Sequence, residues 1–304
     1  MKHAPVLTKE VVELLDLKAG DNVIDCTLGD GGHAQLILEK TAENGKLLGI
    51  DADVESLLRA KRFLYSFEDR FVAVRDNFIN LKEIVEKNNF KKIKGILIDL
   101  GWSSPQFEQR GRGFSFQNKD EELDMRFDVS SDQPTAAQII NSYSESELAE
   151  IFRRYGEEKC NIEIAKKIVE SRDKKEIAKV GELAEIIAQV YRKKIGTSKE
   201  VPYIGKLHPA TKVFQALRIE VNHELEVLKK VLPIAVEVLA SQGRIAVISF
   251  HSLEDRIVKQ YFKKISLDNK KFSLINKKPV VASDEEIKEN PRSRSAKLRV
   301  IAKK

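Results

Sequence analysis

The sequence predicts an α/β protein with a mostly parallel, doubly wound sheet and an inserted helical subdomain. Three observations carry that expectation. Strand and helix periods alternate up to about residue 101, the pattern then turns polar and helical without a comparable β run, and strand and helix periods return before the chain ends.

The most informative stretch is Val23-Ile24-Asp25-Cys26-Thr27-Leu28-Gly29-Asp30-Gly31-Gly32-His33-Ala34, followed by Leu47-Leu48-Gly49-Ile50-Asp51. It reads as strand, glycine turn, helix, strand, acid. An apolar run ending at Asp25 suits a strand buried on both faces, and glycines let a backbone turn approach a ligand with no Cβ in the way. A helix that starts there aims its free amides at that ligand. Strands are expected at 22–28, 46–51, 71–76 and 94–100, with amphipathic helices between them such as Val54 to Tyr65, which carries Leu57, Leu58 and Leu64.

From about 105 to 207 the helical segments are Glu145 to Tyr155, Asn161 to Arg172 and Val180 to Lys194. A long helix from Ala210 to about Leu239 is expected to break or kink at Pro233. It leads to a strand at Arg244–Phe250, a helix from Ser252 and a last hairpin ending in Lys297 to Ala302. The expected division is 1–106 for the first part of the α/β domain, 107–208 for the insertion and 209–304 for the second part.

Composition narrows the class. The chain has 304 residues with 42% hydrophobic content, enough for a sizeable core. No run approaches the roughly 18 apolar residues of a membrane span, and the start, with charged Lys9 and Glu10, has no signal-peptide core, so a soluble protein of the cytoplasm with no membrane partner is expected. Cys26 and Cys160 have no metal-ligand spacing and read as reduced thiols, and no metal site is expected. A net charge of +6 permits a phosphate-rich partner without requiring one.

Two cofactors compete for the glycine turn. Gly29-x-Gly31-x-x-Ala34 satisfies the dinucleotide fingerprint, and Asp51 stands where an acid binds ribose hydroxyls. S-adenosylmethionine is favoured by Asp25, because a carboxylate at the first strand end suits a cationic methionyl group better than a pyrophosphate. An ordinary βα turn without a ligand is the third reading. The fourth strand ends in Asp99-Leu100-Gly101-Trp102-Ser103-Ser104-Pro105-Gln106, so Asp25, Asp51 and Asp99 end three buried strands where open α/β sheets bind ligands. Asn77-Phe78 after the third strand offers an aromatic wall for adenine or plain core packing. Arg110-Gly-Arg112-Gly-Phe114-Ser-Phe116 suits phosphate contact and base stacking, or equally a flexible loop with a hydrophobic anchor.

These residues carry a resemblance. The segments are His3-x-x-Val6-Leu7, Asp25-x-Thr27-x-Gly29-x-Gly31-Gly32-His33, Asp99-Leu-Gly-x-Ser-Ser-Pro-Gln106, Arg112-Gly-Phe-Ser-Phe116, Leu123-Asp-Met-Arg126, Tyr155-Gly-Glu-Glu158, His208-Pro-Ala-Thr-x-x-Phe-Gln-Ala-Leu-Arg218, Ser249-Phe-His-Ser-Leu-Glu-Asp-Arg-Ile-Val-Lys259 and Asn290-Pro-Arg-x-Arg-Ser-x-x-Leu-Arg299. Running nearly end to end, they resemble the bacterial S-adenosylmethionine-dependent methyltransferases that modify the exocyclic N4 of a cytidine in small-subunit (16S) ribosomal RNA. The resemblance implies a Rossmann-like class I methyltransferase fold, an insertion that helps hold RNA, and cofactor contacts at Gly31, Gly32, His33, Asp51, Phe78, Asp99 and Gln106. Its partner would be small-subunit ribosomal RNA or the ribosomal subunit, with a homodimer left open. Trp102 and Phe127 depart from the family pattern, which has a small aliphatic residue and Met there.

The chemistry has a reading of its own. Methylating a pyrimidine ring carbon calls for a cysteine nucleophile beside the substrate, and neither Cys26 nor Cys160 lies in such a turn. An exocyclic amine needs positioning and an acceptor for its hydrogen, for which Asp99, Ser103, Ser104 and the backbone carbonyls of that segment are the candidates. His251 stands to meet the base, to take up the proton, or to make a structural hydrogen bond. His208, Arg218 and Asn222 are placed near RNA, and Arg292, Arg294, Lys297, Arg299, Lys303 and Lys304 form a phosphate-contacting stripe or a solvated strand face. A methyltransferase of another substrate, and a nicotinamide-dependent oxidoreductase, remain as alternatives.

Overall fold

Adjacent apolar residues within short runs that close on an acid, Val23-Ile24 before Asp25, Leu47-Leu48 before Asp51 and Ile96-Leu97 before Asp99, give strands whose two faces both need covering. The computed structural model, which describes residues 5–100, 111–201, 203–204 and 207–304, covers both. Among these residues lie seven strands: β1 (Asn22–Asp25), β2 (Leu47–Asp51), β3 (Phe71–Arg75), β4 (Ile93–Asp99), β5 (Arg244–Ser249), β6 (Phe272–Leu274) and β7 (Lys297–Lys303). They form one sheet in the order β3-β2-β1-β4-β5-β7-β6. The first five are parallel, while β7 runs antiparallel to β5 and β6. The mostly parallel, doubly wound sheet is as expected, and each expected strand is found with ends displaced by a residue or a few.

Alternate residues separate to opposite faces. Val23, Leu47, Leu97 and Ala246 pack with the helices α1 (Thr8–Leu15), α2 (Gly32–Lys40) and α3 (Val54–Phe63). Ile24, Leu48, Ile96 and Val247 pack with α4 (Leu81–Lys87) and two later helices described below. Each helix thus buries one stripe on the sheet, at roughly 1.5–3 kcal/mol per fully buried Leu or Ile side chain.

The chain divides into two units, Met1–Ser103 with Leu225–Lys304, and Ser104–Glu224. In the second unit α5 (Ala136–Ser142), α6 (Glu145–Gly156), α7 (Asn161–Arg172), α8 (Val180–Ile195) and α9 (Thr211–Asn222) pack as helices. Thr135 with Gln138 and Ser144 with Glu147 form capping boxes that set where α5 and α6 begin.

The expected return to the α/β part at residue 209 differs from this division, because α9 belongs to the helical unit. It packs on α6, and Gly156 permits the crossing: a Cβ there would lie 2.6 Å from the Lys212 carbonyl oxygen. The expected single helix from Ala210 to Leu239 is also corrected. It breaks at His223, which takes a left-handed φ of 49°, and α10 (Glu224–Val238) runs through Pro233 uninterrupted. The cause of the break is Asn222, whose Nδ2 donates to the Met125 oxygen at 2.8 Å and whose Oδ1 accepts from Phe127 N at 2.8 Å.

In the first unit α10 and α11 (Ser252–Asp268) complete the second face of the sheet, and α12 (Asp284–Glu289) lies between β6 and β7, so those strands pair without forming a tight hairpin. Among the described residues, no helix is long and apolar enough to cross a membrane.

Candidate functional site

Parallel strands end on one side of a sheet, and three of these end in acids. Asp25 is 1% exposed, and its Oδ1 accepts from Thr27 N at 3.1 Å. The Thr27 hydroxyl accepts from Asp99 N at 2.7 Å, so one side chain ties the tips of β1 and β4 together. Asp51 accepts from Gly29 N at 2.8 Å and from Asp53 N at 2.8 Å. Burial raises the Asp25 carboxyl to about 6, opposed by His33 and the Thr27 hydrogen bond and reinforced by Asp99 and Asp51. Burial likewise raises Asp51 to about 6, against its two backbone hydrogen bonds. Anions this costly to hold without a counter-charge mark a place for a cationic or hydrogen-donating ligand.

The glycine turn leads from β1 into α2. Gly31 has φ +88°, and a Cβ on it would lie 3.0 Å from Leu64 Cδ1, while one on Gly32 would lie 2.8 Å from Pro5 Cγ. Both positions therefore need glycine for conformation or packing, beyond any ligand approach. Asp30 in the turn accepts from Arg59 Nε at 2.9 Å, which anchors the turn to α3.

His33, in the first turn of α2, is 6% exposed, and among the described residues neither ring nitrogen has a hydrogen-bond partner. Its Nε2 stands 3.6 Å from Asp99 Oδ2. A buried imidazole left unpaired costs about 1–3 kcal/mol unless something completes it, so the site is built for a polar occupant. Gly31, Gly32, His33, Asp25, Asp51 and Asp99 are thus brought to one edge. Phe78 follows β3, whose end is tied to β2 by Asp76 N donating to the Asp51 oxygen at 3.1 Å, and it packs half-buried against the core. Trp102, Ser103, Ser104 and Gln106 lie outside the described residues.

Sequence reasoning missed the bracing role of Thr27 and of Glu254. Buried Glu254 accepts from Phe250 N at 2.8 Å and His251 N at 3.2 Å, closing the turn after β5, and its signal was the cap spacing His251-x-x-Glu254. His251 Nδ1 accepts from Glu254 N at 3.5 Å as the cap of the helix that follows, which is the structural role, and its Nε2 stands 3.1 Å from Glu254 Oε1.

The residues expected to touch RNA are in part structural. Phe114 is buried and stacks on Phe127, and Arg112 donates to the Phe127 oxygen at 3.3 Å, so these two follow the hydrophobic-anchor reading. Phe116 stacks on His208 with ring centroids 4.3 Å apart. Arg218 makes a two-pronged ion pair with Glu224 at 2.8 and 2.9 Å, and Asn222 holds the backbone at Met125 and Phe127. In the stripe near the C-terminus, Arg299 is 6% exposed and bound to Asp255, while Lys303 Nζ donates to the Leu239 oxygen at 2.6 Å.

A carboxylate-lined edge thus stands beside a glycine turn and a helix start. The model of the MraW methylase family matches residues 1–304 of the sequence. The chain belongs to the MraW methylase family. It is similar to the ribosomal RNA small subunit methyltransferase H of Sulfurihydrogenibium sp. (strain YO3AOP1), 47% identical over 99% of this chain and 98% of that one. It is also 46% identical to the protein of that name from Dictyoglomus thermophilum, over 98% of this chain and 95% of the other, and 42% identical to that of Clostridioides difficile, over 99% and 98%. This MraW-family chain is an S-adenosylmethionine-dependent methyltransferase, and the oxidoreductase alternative falls. The glycine spacing that suggested a dinucleotide serves this turn instead.

Proposed function

We propose that this enzyme transfers a methyl group to the exocyclic N4 of a cytidine in the decoding region of small-subunit (16S) ribosomal RNA. The observation that carries the reading is the end-to-end similarity to proteins named for small-subunit ribosomal RNA methylation, joined to a site with three strand-end carboxylates.

The residues fit the methyl donor. The unpaired His33 ring and the costly Asp25 and Asp51 carboxylates are the groups that a bound cation with hydroxyl and ammonium donors would satisfy. Gly31, Gly32 and His33 would face its methionyl carboxylate, Asp51 its ribose, and Phe78 its adenine, with Asp99 and Gln106 completing the contacts. S-adenosylmethionine supplies an electrophilic methyl group on a sulfonium.

The protein's share of the chemistry is positioning. Cytosine N4 is a weak nucleophile because its lone pair is conjugated with the ring, so an acceptor for an N4 hydrogen helps localise that pair. Asp99, with Ser103 and Ser104 after it in the sequence, would provide acceptors, and the N4 proton would leave to one of them. The cysteines take no covalent part, since Cys26 and Cys160 are both buried and burial raises the Cys26 thiol. The helical unit assists in holding RNA, and the enzyme works in the cytoplasm.

The test is methyl transfer into unmodified small ribosomal subunits followed by nucleoside analysis. N4-methylcytidine is the expected product; a methylated ring carbon, ribose oxygen or protein side chain overturns the reading. Asp99→Ala and Ser104→Ala, assayed in single turnover at saturating cofactor, should each slow transfer, and unchanged rates in both refute the assigned acceptors.

A further inference from the structure

The sheet edge that carries the three carboxylates changes sign further along. Asp99 pairs with Ile248, and Ser249 pairs with Lys297 because β7 runs antiparallel to β5. Two inter-strand spacings, roughly 10 Å, therefore separate the acidic tip of β4 from the first residue of β7.

More cations are fixed beside Lys297. The segment after β6 returns along β7 through the pairing of Val280 with Leu298. Asn276 clamps it: Nδ2 donates to the Lys278 oxygen at 2.9 Å and the Leu298 oxygen at 2.8 Å, and Oδ1 accepts from Val300 N at 2.8 Å. Arg299 Nη1 donates to the Lys277 oxygen at 3.4 Å. The backbone is held while the side chains of Lys277 and Lys278 are exposed.

On the other approach, a 3-10 turn at Pro291–Ser295 precedes β7. Buried Ser293 donates to the Asn290 oxygen at 2.8 Å, and neighbouring Arg294 points outward. Asp255, the acid beside β7, is taken by Arg299 at 2.6 and 3.2 Å, with Lys297 at 3.9 Å. Of the acids in α12, Glu286 is bound to Leu7 N. Among the described residues no ion pair engages Lys277, Lys278 or Arg294.

We propose that Lys277, Lys278, Arg294 and Lys297 form a phosphate-docking rim that holds the ribosomal RNA backbone about two strands away from the methyl-donor site. The inference rests on the function proposed above and names the part of the sheet edge that meets the polyanion. One edge then serves two charges: its acidic half favours the sulfonium donor, and its basic half favours the phosphates flanking the target. The rim sets affinity and register, because phosphate contacts carry no base information.

The test compares wild type with Lys277→Ala/Lys278→Ala/Arg294→Ala in the full chain. Each lost phosphate contact should weaken binding about fivefold near 0.1 M salt, so the triple variant should lose roughly a hundredfold and its slope of log affinity against log salt should flatten by about 2. Binding is read by co-sedimentation with small subunits and with naked 16S ribosomal RNA, and S-adenosylhomocysteine binding by calorimetry should stay within twofold. The Lys277→Arg/Lys278→Arg variant should bind as wild type does. Unchanged RNA affinity and salt slope in the triple variant overturn the rim. Loss toward subunits with full binding to naked RNA overturns it in favour of a ribosomal protein contact, and an equal loss of S-adenosylhomocysteine binding overturns it in favour of a role in the donor site. A wild type that binds RNA with this salt dependence but methylates another atom defeats the proposed function and leaves the rim standing.

Discussion

Asp25→Asn should stabilise the protein while damaging it as an enzyme. The folded carboxyl sits at about 6 against 3.8 for an ordinary aspartate, so ionising it in the fold costs about 3 kcal/mol more than in the unfolded chain. Between these values the folded state binds more protons than the unfolded one, so this residue lowers stability as pH rises from about 4 to 6. The penalty is fully present above 6 and absent below 3.8. Asparagine carries no charge and keeps an oxygen to accept from Thr27 N, so the variant should gain up to about 3 kcal/mol at pH 7.5 and nothing at pH 3.5. Asp51 is a poorer choice, because its carboxylate accepts two backbone N–H groups on different oxygens and an amide offers only one. Urea denaturation of both proteins across pH 3.5–8 reads the difference, and calorimetry with S-adenosylmethionine reads the loss of a charged acceptor, about tenfold or more in affinity. If the variant is no more stable at pH 7.5, or binds the donor as wild type does, the carboxylate is not held ionised at its own expense for a ligand.

Two further outcomes follow from the geometry. Gly31→Ala places a β-carbon at φ +88°, 3.0 Å from Leu64, and should cost about 1–2 kcal/mol or more in denaturant titration together with weaker S-adenosylhomocysteine binding; full retention of both would show that the turn tolerates a side chain. Arg299→Ala strands the largely buried Asp255 carboxylate and should cost about 3–5 kcal/mol, most of it recovered in Arg299→Met/Asp255→Asn; an equally damaged double variant would show that charge pairing is not the cause.

The sheet was legible because its strands are short apolar runs between turn residues, a local signal that burial on both faces enforces. The edge of carboxylates was legible for the same reason, since an acid closing such a run has only the sheet's end to occupy. What escaped was set by contacts distant in sequence. The break at His223 depends on Asn222 reaching Met125 and Phe127, and α9 belongs to the helical unit through Gly156, neither of which helical periodicity records. Arg299 read as a surface cation because the pattern of a strand does not reveal which acid, here Asp255, lies above it. Arg112 and Phe114 had the composition of a nucleic-acid loop, and packing turned both toward the protein's own backbone and rings.

The reversed direction of β7 decides which stretch of the chain's tail reaches the edge that carries the carboxylates. Had this strand run parallel to β5, its far end, with Lys303, would stand beside Ser249, and the arginine-bearing turn before Lys297 would hang from the opposite side of the sheet. One inverted strand lets residues synthesised last stand next to an edge whose carboxylates were made first, so a chain cut short before Lys297 would lose both that basic flank and the buried Leu298, Val300 and Ile301 that join β5 to β6.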